Sequence, residues 1–172
     1  MIAYQSRGFT IIEAVITVLI AAIFLAAAVP SYYALIQNNK VAMTTNKLSA
    51  AFNMARMEAV KRGVKVTVCS AANSSLSSCG TTTQWVNGWI IFTDANNNDT
   101  IDSNNDLTYV SEAVPKGVAI TASRKNVGYN SAGFLSGSAL IIVIKAPGCT
   151  GNNARQISIS TSGRVSVLRA AC

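Results

Sequence analysis

The chain has 172 residues, 50% of them apolar and only 12% charged, with a formal net charge of +7 and no histidine. Once an apolar N-terminal segment is set aside, that length leaves room for one domain with a real core and too little for two. No C-x-x-C pair and no phosphate-binding glycine motif occurs, so zinc, thioredoxin-like and nucleotide chemistry have little to stand on and an enzyme is not expected.

The first element is the apolar run Ile11–Val29, nineteen residues that carry one charge, Glu13. A helix of that length covers about 28 Å, close to the hydrocarbon core of a bilayer. A carboxylate inside such a span costs roughly 2.5–3.5 kcal/mol on insertion scales, and it becomes tolerable when paired. Two other readings fit the same stretch. Ala26-Ala27-Ala28 suits a secretory cleavage site, although the apolar part of a signal peptide is usually 7–15 residues. A single-span anchor without processing is the other.

From Ser31 to Arg62 there is neither proline nor glycine. Val41, Leu48, Phe52, Ala55 and Ala59 recur at helical spacing and make one apolar stripe. Lys61 and Arg62 suit the negative end of a helix dipole, and Gly63 is a C-cap signal. A helix from Phe9 to Arg62, bent near Pro30, is therefore expected, its second half packing its stripe on a sheet.

The remainder reads as strands at Val64–Cys69, Trp85–Phe92, Leu107–Glu112, Gly117–Thr121, Ala139–Lys145, Gln156–Ser160 and Arg164–Leu168. Thr161-Ser162-Gly163 joins the last two as a hairpin, and the short connections suit antiparallel pairing. The fold class is α+β, a long N-terminal helix on a C-terminal antiparallel β domain. The boundaries are a leader at 1–8, a transmembrane helix at 9–30, its amphipathic continuation at 31–63 and a β-rich domain at 64–172.

Cys69, Cys79, Cys149 and Cys172 form an even set behind a membrane signal, which favours disulfides in an oxidising compartment. Three pairings are possible. Cys69–Cys79 and Cys149–Cys172 are favoured because each pair lies within one local segment, and the second would pin the last residue. After Glu112 no acidic residue occurs, while Lys116, Arg124, Lys125, Lys145, Arg155, Arg164 and Arg169 follow. So one-sided a stretch attracts polyanions: nucleic acid, anionic lipid or an acidic partner.

Arg7-Gly8-Phe9-Thr10-Ile11-Ile12-Glu13 resembles the prepilin signature of type IV pilins and type II secretion pseudopilins. The resemblance implies cleavage between Gly8 and Phe9 by a prepilin peptidase and N-methylation of Phe9. It also makes Glu13 the fifth mature residue, pairing with a neighbouring subunit's N-terminal amine during assembly. Pro30 matches a helix-kinking proline common in pilins.

Further along, Leu48-x-x-Ala51-x-x-x-Ala55-Arg56-x-Glu58-Ala59-x-x-Arg62, Val66-Thr67-Val68-Cys69, Gly88-Trp89-x-x-Phe92-x-Asp94 and Gly163-Arg164 resemble the FimT/FimU/GspH group of minor pilins. That implies a single-pass inner-membrane protein with a periplasmic C-terminal domain, assembled with other minor and major pilins or pseudopilins and without a cofactor. Three roles follow: priming a type IV pilus, binding DNA for natural transformation, or serving type II secretion.

FimT-type proteins bind DNA through a glycine-arginine-x-arginine motif. Here the run is Gly163-Arg164-Val165-Ser166, and Arg155 and Arg169 stand in for the second arginine, with Lys145, Arg124 and Lys125 as further cations. On an alternating strand Arg164, Ser166 and Leu168 share one face and Arg169 the other.

Asp94-x-Asn96-x-Asn98-Asp99-x-x-Asp102 resembles the opening of a calcium loop. An EF-hand needs glycine at the sixth position and glutamate at the twelfth. Here Asp99 and Asn105 stand there, so an exposed inter-strand loop is expected instead and no metal.

Overall fold

The computed structural model describes residues 9–103 and 106–172. The described chain divides between Ile36 and Gln37 into two compact units. The helix α1 (Ile11–Arg62) begins in the first and ends in the second.

In the first unit, Thr10 starts α1. Its Oγ1 accepts the Glu13 N–H at 3.3 Å and its carbonyl accepts the Ala14 N–H at 3.1 Å. A threonine hydroxyl is a good N-cap, so the helix begins at Ile11 rather than at Phe9. Pro30 lies inside α1, which continues on both sides of it. Every side chain described from Ile11 to Val29 is exposed. Among the described residues, α1 is the one helix long and apolar enough to cross a membrane.

The second unit is built on the apolar stripe of α1. Val41, Leu48, Phe52, Ala55 and Ala59 are all buried, as the helical spacing requires. They meet the inner faces of two antiparallel four-stranded sheets in one core. Phe52 leans on Trp85 with ring centroids 6.1 Å apart. Burying a side chain of this size is worth about 1.5–3 kcal/mol.

The first sheet has the order β3-β2-β1-β5, from Leu107–Ser111, Trp89–Thr93, Val66–Ser70 and Asn126–Tyr129. Val66, Val68, Ile91, Val127 and Tyr129 face the main core. Cys69, Ile90 and Phe92 face the other way into a smaller cluster with Ala71, Leu76, Ile101 and Leu107. The second sheet has the order β4-β6-β7-β8, from Ala119–Ala122, Leu140–Lys145, Ala154–Ile159 and Val165–Ala170. Leu140, Ile142 and Ile144 lie opposite Ile159, Ile157 and Arg155.

Three details depart from the sequence reading. The strand expected from Trp85 starts only at Trp89, because Gln84–Asn87 is a 3-10 turn. Gly88 breaks the run: its φ is 107°, and a Cβ there would overlap the Ser111 carbonyl oxygen. The strand β5 was not expected, since Asn126 and Gly128, both depleted in strands, alternate with Val127 and Tyr129. The strands also fall into two sheets, with the consecutive β4 and β5 in different ones.

Candidate assembly site and charged surfaces

Gly8 lies outside the described residues. Phe9 and Glu13 are exposed at the start of α1. Thr10 and Glu13 have the spacing of a capping box, in which the third helical residue is acidic. The half of the box formed by the Thr10 hydroxyl is made. A carboxylate in the first turn also gains from the positive end of the helix dipole. Glu13 is thus placed, exposed, at a helix start that favours its charge. Thr10 was missed by sequence reasoning, though its position three residues before Glu13 was a signal.

The four cysteines pair as Cys69–Cys79 and Cys149–Cys172, with Cα–Cα distances of 5.6 and 5.5 Å. The first closes the loop after β1, where Ala71 also bridges to Cys79. The second ties Cys172, two residues beyond β8, to the β6–β7 connection, and the Cys172 N–H donates to the Gly151 carbonyl at 3.0 Å.

The basic residues separate by strand register. Arg155 on β7 lies directly opposite Arg169 on β8, so both project from the inner face of the second sheet, in the row of Ile144. Lys145 opposes Ala119, in the outer row of that sheet. Arg164 precedes β8 and shares the outer face with Ser166 and Leu168, at the hairpin end. Arg169 therefore falls on the face opposite Arg164. Arg124 is committed to structure: its Nη1 donates to the Ser138 carbonyl at 2.7 Å, and its own carbonyl accepts the Trp85 Nε1–H at 3.0 Å. Lys125, next to it, is exposed. These cations do not gather on one face.

The Asp94–Asp102 loop is only partly the exposed turn that was expected, because Asp94 is buried. Its carboxylate accepts the Thr67 hydroxyl at 3.2 Å and the N–H groups of Asn98 at 3.0 Å and Asp99 at 3.2 Å. Lys65 Nζ stands 2.8 Å from both Asp94 and Asp99. The positive charge that a calcium loop draws from its ion is supplied here by an ammonium group. The stem of Lys65 crosses Gly128, where a Cβ would come within 2.5 Å of its Cε. Burial opposes the Lys65 charge, but the hydrogen bonds to Asp94 and Asp99 outweigh it and hold the ammonium pKa above its ordinary value. Burial likewise opposes ionisation of Asp99, and the Lys65 hydrogen bond overrides it, so that carboxyl lies below its ordinary value. Among the described residues no group of three or more metal-binding side chains exists.

Two family marks acquire physical reasons. Gly88 allows the close approach to Ser111 described above. Gly163, with φ 79°, lies where a Cβ would overlap the Gly133 carbonyl oxygen.

Comparison with known proteins agrees with this architecture. Residues 44–163 match the family described as type II transport protein GspH, and residues 4–29 match the prokaryotic N-terminal methylation motif. No curated protein matches the chain. The type IV minor pilin FimU of Pseudomonas aeruginosa has a similar fold, with a TM-score of 0.62 at 18% identity, covering 78% of this chain and 93% of that one. A second crystal form of FimU gives 0.58 at 18% identity, covering 76% and 95%. The minor pseudopilin EpsH of the Vibrio cholerae type 2 secretion system gives 0.54 at 10% identity, covering 76% and 97%. The chain belongs to the GspH family, and is a minor pilin or pseudopilin rather than an enzyme.

Proposed function

We propose that this protein is a minor pilin of a type IV pilus, held in the inner membrane by α1 until it enters a tip or priming complex. The observation that carries the reading is Glu13, the single charge in the apolar run from Ile11 to Val29, whose described side chains are all exposed. Such a surface needs lipid or other helices around it, and its carboxylate needs a cation. After cleavage between Gly8 and Phe9, the Phe9 amine of a neighbouring subunit supplies that cation. The domain of residues 64–172 then faces the periplasm and meets other pilins.

The test is incorporation of a Glu13→Gln variant in the native host. The variant should reach the membrane in normal amount and be lost from sheared filaments. Equal incorporation would remove Glu13 from assembly.

Type II secretion is the second reading, favoured by the family description matched over residues 44–163. A deletion strain separates the two. Loss of surface pili with normal protein secretion supports the pilus, and the reverse supports the secretion filament.

DNA capture is a further role under the first reading, supported by the absence of acidic residues after Glu112. Arg155 and Arg169 would carry it, because they stand side by side. Binding would be phosphate-driven, sequence-independent and steeply dependent on salt. A DNA titration at several salt concentrations, with Arg155→Ala and Arg164→Ala in parallel, tests it. No binding at low salt removes the role.

A further inference from the structure

The second unit pairs its acidic residues with cations at one end and leaves a group of unpaired cations at the other. Glu58, Asp94 and Asp99 cluster where α1 ends. Glu58 accepts from Arg62 Nε at 2.7 Å, Arg62 reaches Thr93 at 3.1 Å, and Lys65 joins Asp94 to Asp99. Asp102 belongs to the same loop, where it accepts from Asn96 and Asn98.

At the end where α1 enters the unit, five basic residues gather, and Glu112, which follows β3 at that end, is the one acidic side chain the strand register places there. Lys40 Nζ donates to the Lys116 carbonyl at 3.4 Å. Gly117, next in the chain, lies against Pro147, where a Cβ would be 3.3 Å from the ring. Lys145 Nζ donates to the Cys172 carbonyl at 3.5 Å. Arg155 and Arg169 close the same end as a register pair on the sheet face opposite Lys145, so the cations share the rim of that end and not one face of the sheet. Lys116, Lys145 and Arg169 are exposed, and Lys40 and Arg155 are half-buried. None of the five forms an ion pair among the described residues, and the acidic residue closest to them in sequence is Glu112, four positions before Lys116.

Tyr32 and Tyr33, both about 60% exposed, follow directly on the apolar run. Paired tyrosines at the end of a span mark the membrane–water boundary. Lys40 comes seven or eight residues later, about 11 Å along a helix. The surface potential of an anionic membrane decays over about one Debye length, roughly 8–10 Å at physiological salt. So short a stretch of chain between Tyr33 and Lys40 allows Lys40 to approach that potential.

We propose that the surface formed by Lys40, Lys116, Lys145, Arg155 and Arg169 docks on anionic phospholipid headgroups while the subunit waits in the membrane. The docking is electrostatic and reversible, and it is given up when the subunit leaves the bilayer for a filament. It serves a pilus subunit and a secretion subunit alike, and it rests on the reading that α1 spans the membrane.

The test is amide hydrogen exchange of the full chain in lipid nanodiscs. One set holds phosphatidylcholine alone and the other adds an equal part of phosphatidylglycerol. The reporter is the β6–β7 connection, residues 146–153, which lies between Lys145 and Arg155. A face docked for most of the time exchanges about tenfold more slowly. That slowing is expected in the phosphatidylglycerol discs alone, should vanish at high salt, and should weaken in a Lys145→Ser, Arg155→Ser, Arg169→Ser variant. The 95–103 loop, at the acidic end, should not change and reports that the variant is folded. Equal exchange in both discs overturns the proposal. So does protection by duplex DNA but not by phosphatidylglycerol, which assigns the surface to nucleic acid. A chain that does not enter the discs at all instead contradicts the membrane-spanning reading.

Discussion

Arg56 on α1 and Gly163 in the β7–β8 turn are held against the same carbonyl. Arg56 Nε donates to Gly133 at 3.0 Å, its Nη2 reaches the Ser162 carbonyl at 3.3 Å, and Gly163 packs its backbone on the Gly133 oxygen. Two family marks far apart in sequence are thus parts of one clamp that ties the helix to the second sheet.

Gly163→Ala should therefore destabilise the protein by about 2–3 kcal/mol, from the positive φ and the overlap with a backbone carbonyl that cannot rotate away. Gly148→Ala is the control. Its φ is 68°, but a Cβ there meets nothing within 4 Å, so about 1 kcal/mol is expected from strain alone. Thermal melts of both variants check the difference. Equal losses would show that the clamp contributes nothing beyond backbone strain.

Lys65 and Asp99 give stability a defined pH range. Asp99 has a folded pKa below its ordinary 3.8, so its contribution is complete above that value and fades as pH falls through the lower, folded one. Lys65 has a folded pKa above its ordinary 10.5, so its contribution is complete below that value and is lost as pH rises through the folded one. Melts across pH should show no change from this cluster between those limits. Lys65→Met leaves the Asp94 carboxylate buried without its cation and should cost about 3–5 kcal/mol. A near-neutral Lys65→Met would mean that Asp94 is held by the backbone N–H groups alone.

The Cys149–Cys172 bond fastens the last residue beside the β6–β7 connection, and β8 is an edge strand. Replacing both cysteines with serine should lower stability by about 2–4 kcal/mol. It should also speed hydrogen exchange in β8 more than in β6, which lies inside the sheet. Uniform exchange across the sheet would show that the bond acts on the whole unit rather than on its edge.

What could be read from the residues follows the range of the interactions. The helix was legible because its periodicity is local, and five stripe residues pointed to one buried face. Seven of the strands were legible from the sequence, though Trp85 belongs to a 3-10 turn that Gly88 ends. The strand β5 was hidden because Gly128 is present to let the Lys65 side chain pass, a demand made from sixty residues away. The division into two sheets was hidden for the same reason, since no local signal sends β4 and β5 to different partners. Within the candidate site, the prepilin-like junction and Glu13 stand in sequence, whereas the separation of Arg164 from Arg155 and Arg169 needed the register of β7 and β8.

The most direct measurement is mass spectrometry of the N-terminus of the protein purified from host membranes. The account predicts a chain that starts at Phe9 and carries a methyl group on its amine. A chain that starts at Val29 or retains Met1 would contradict it, because the Phe9 amine required to pair with Glu13 would then not exist.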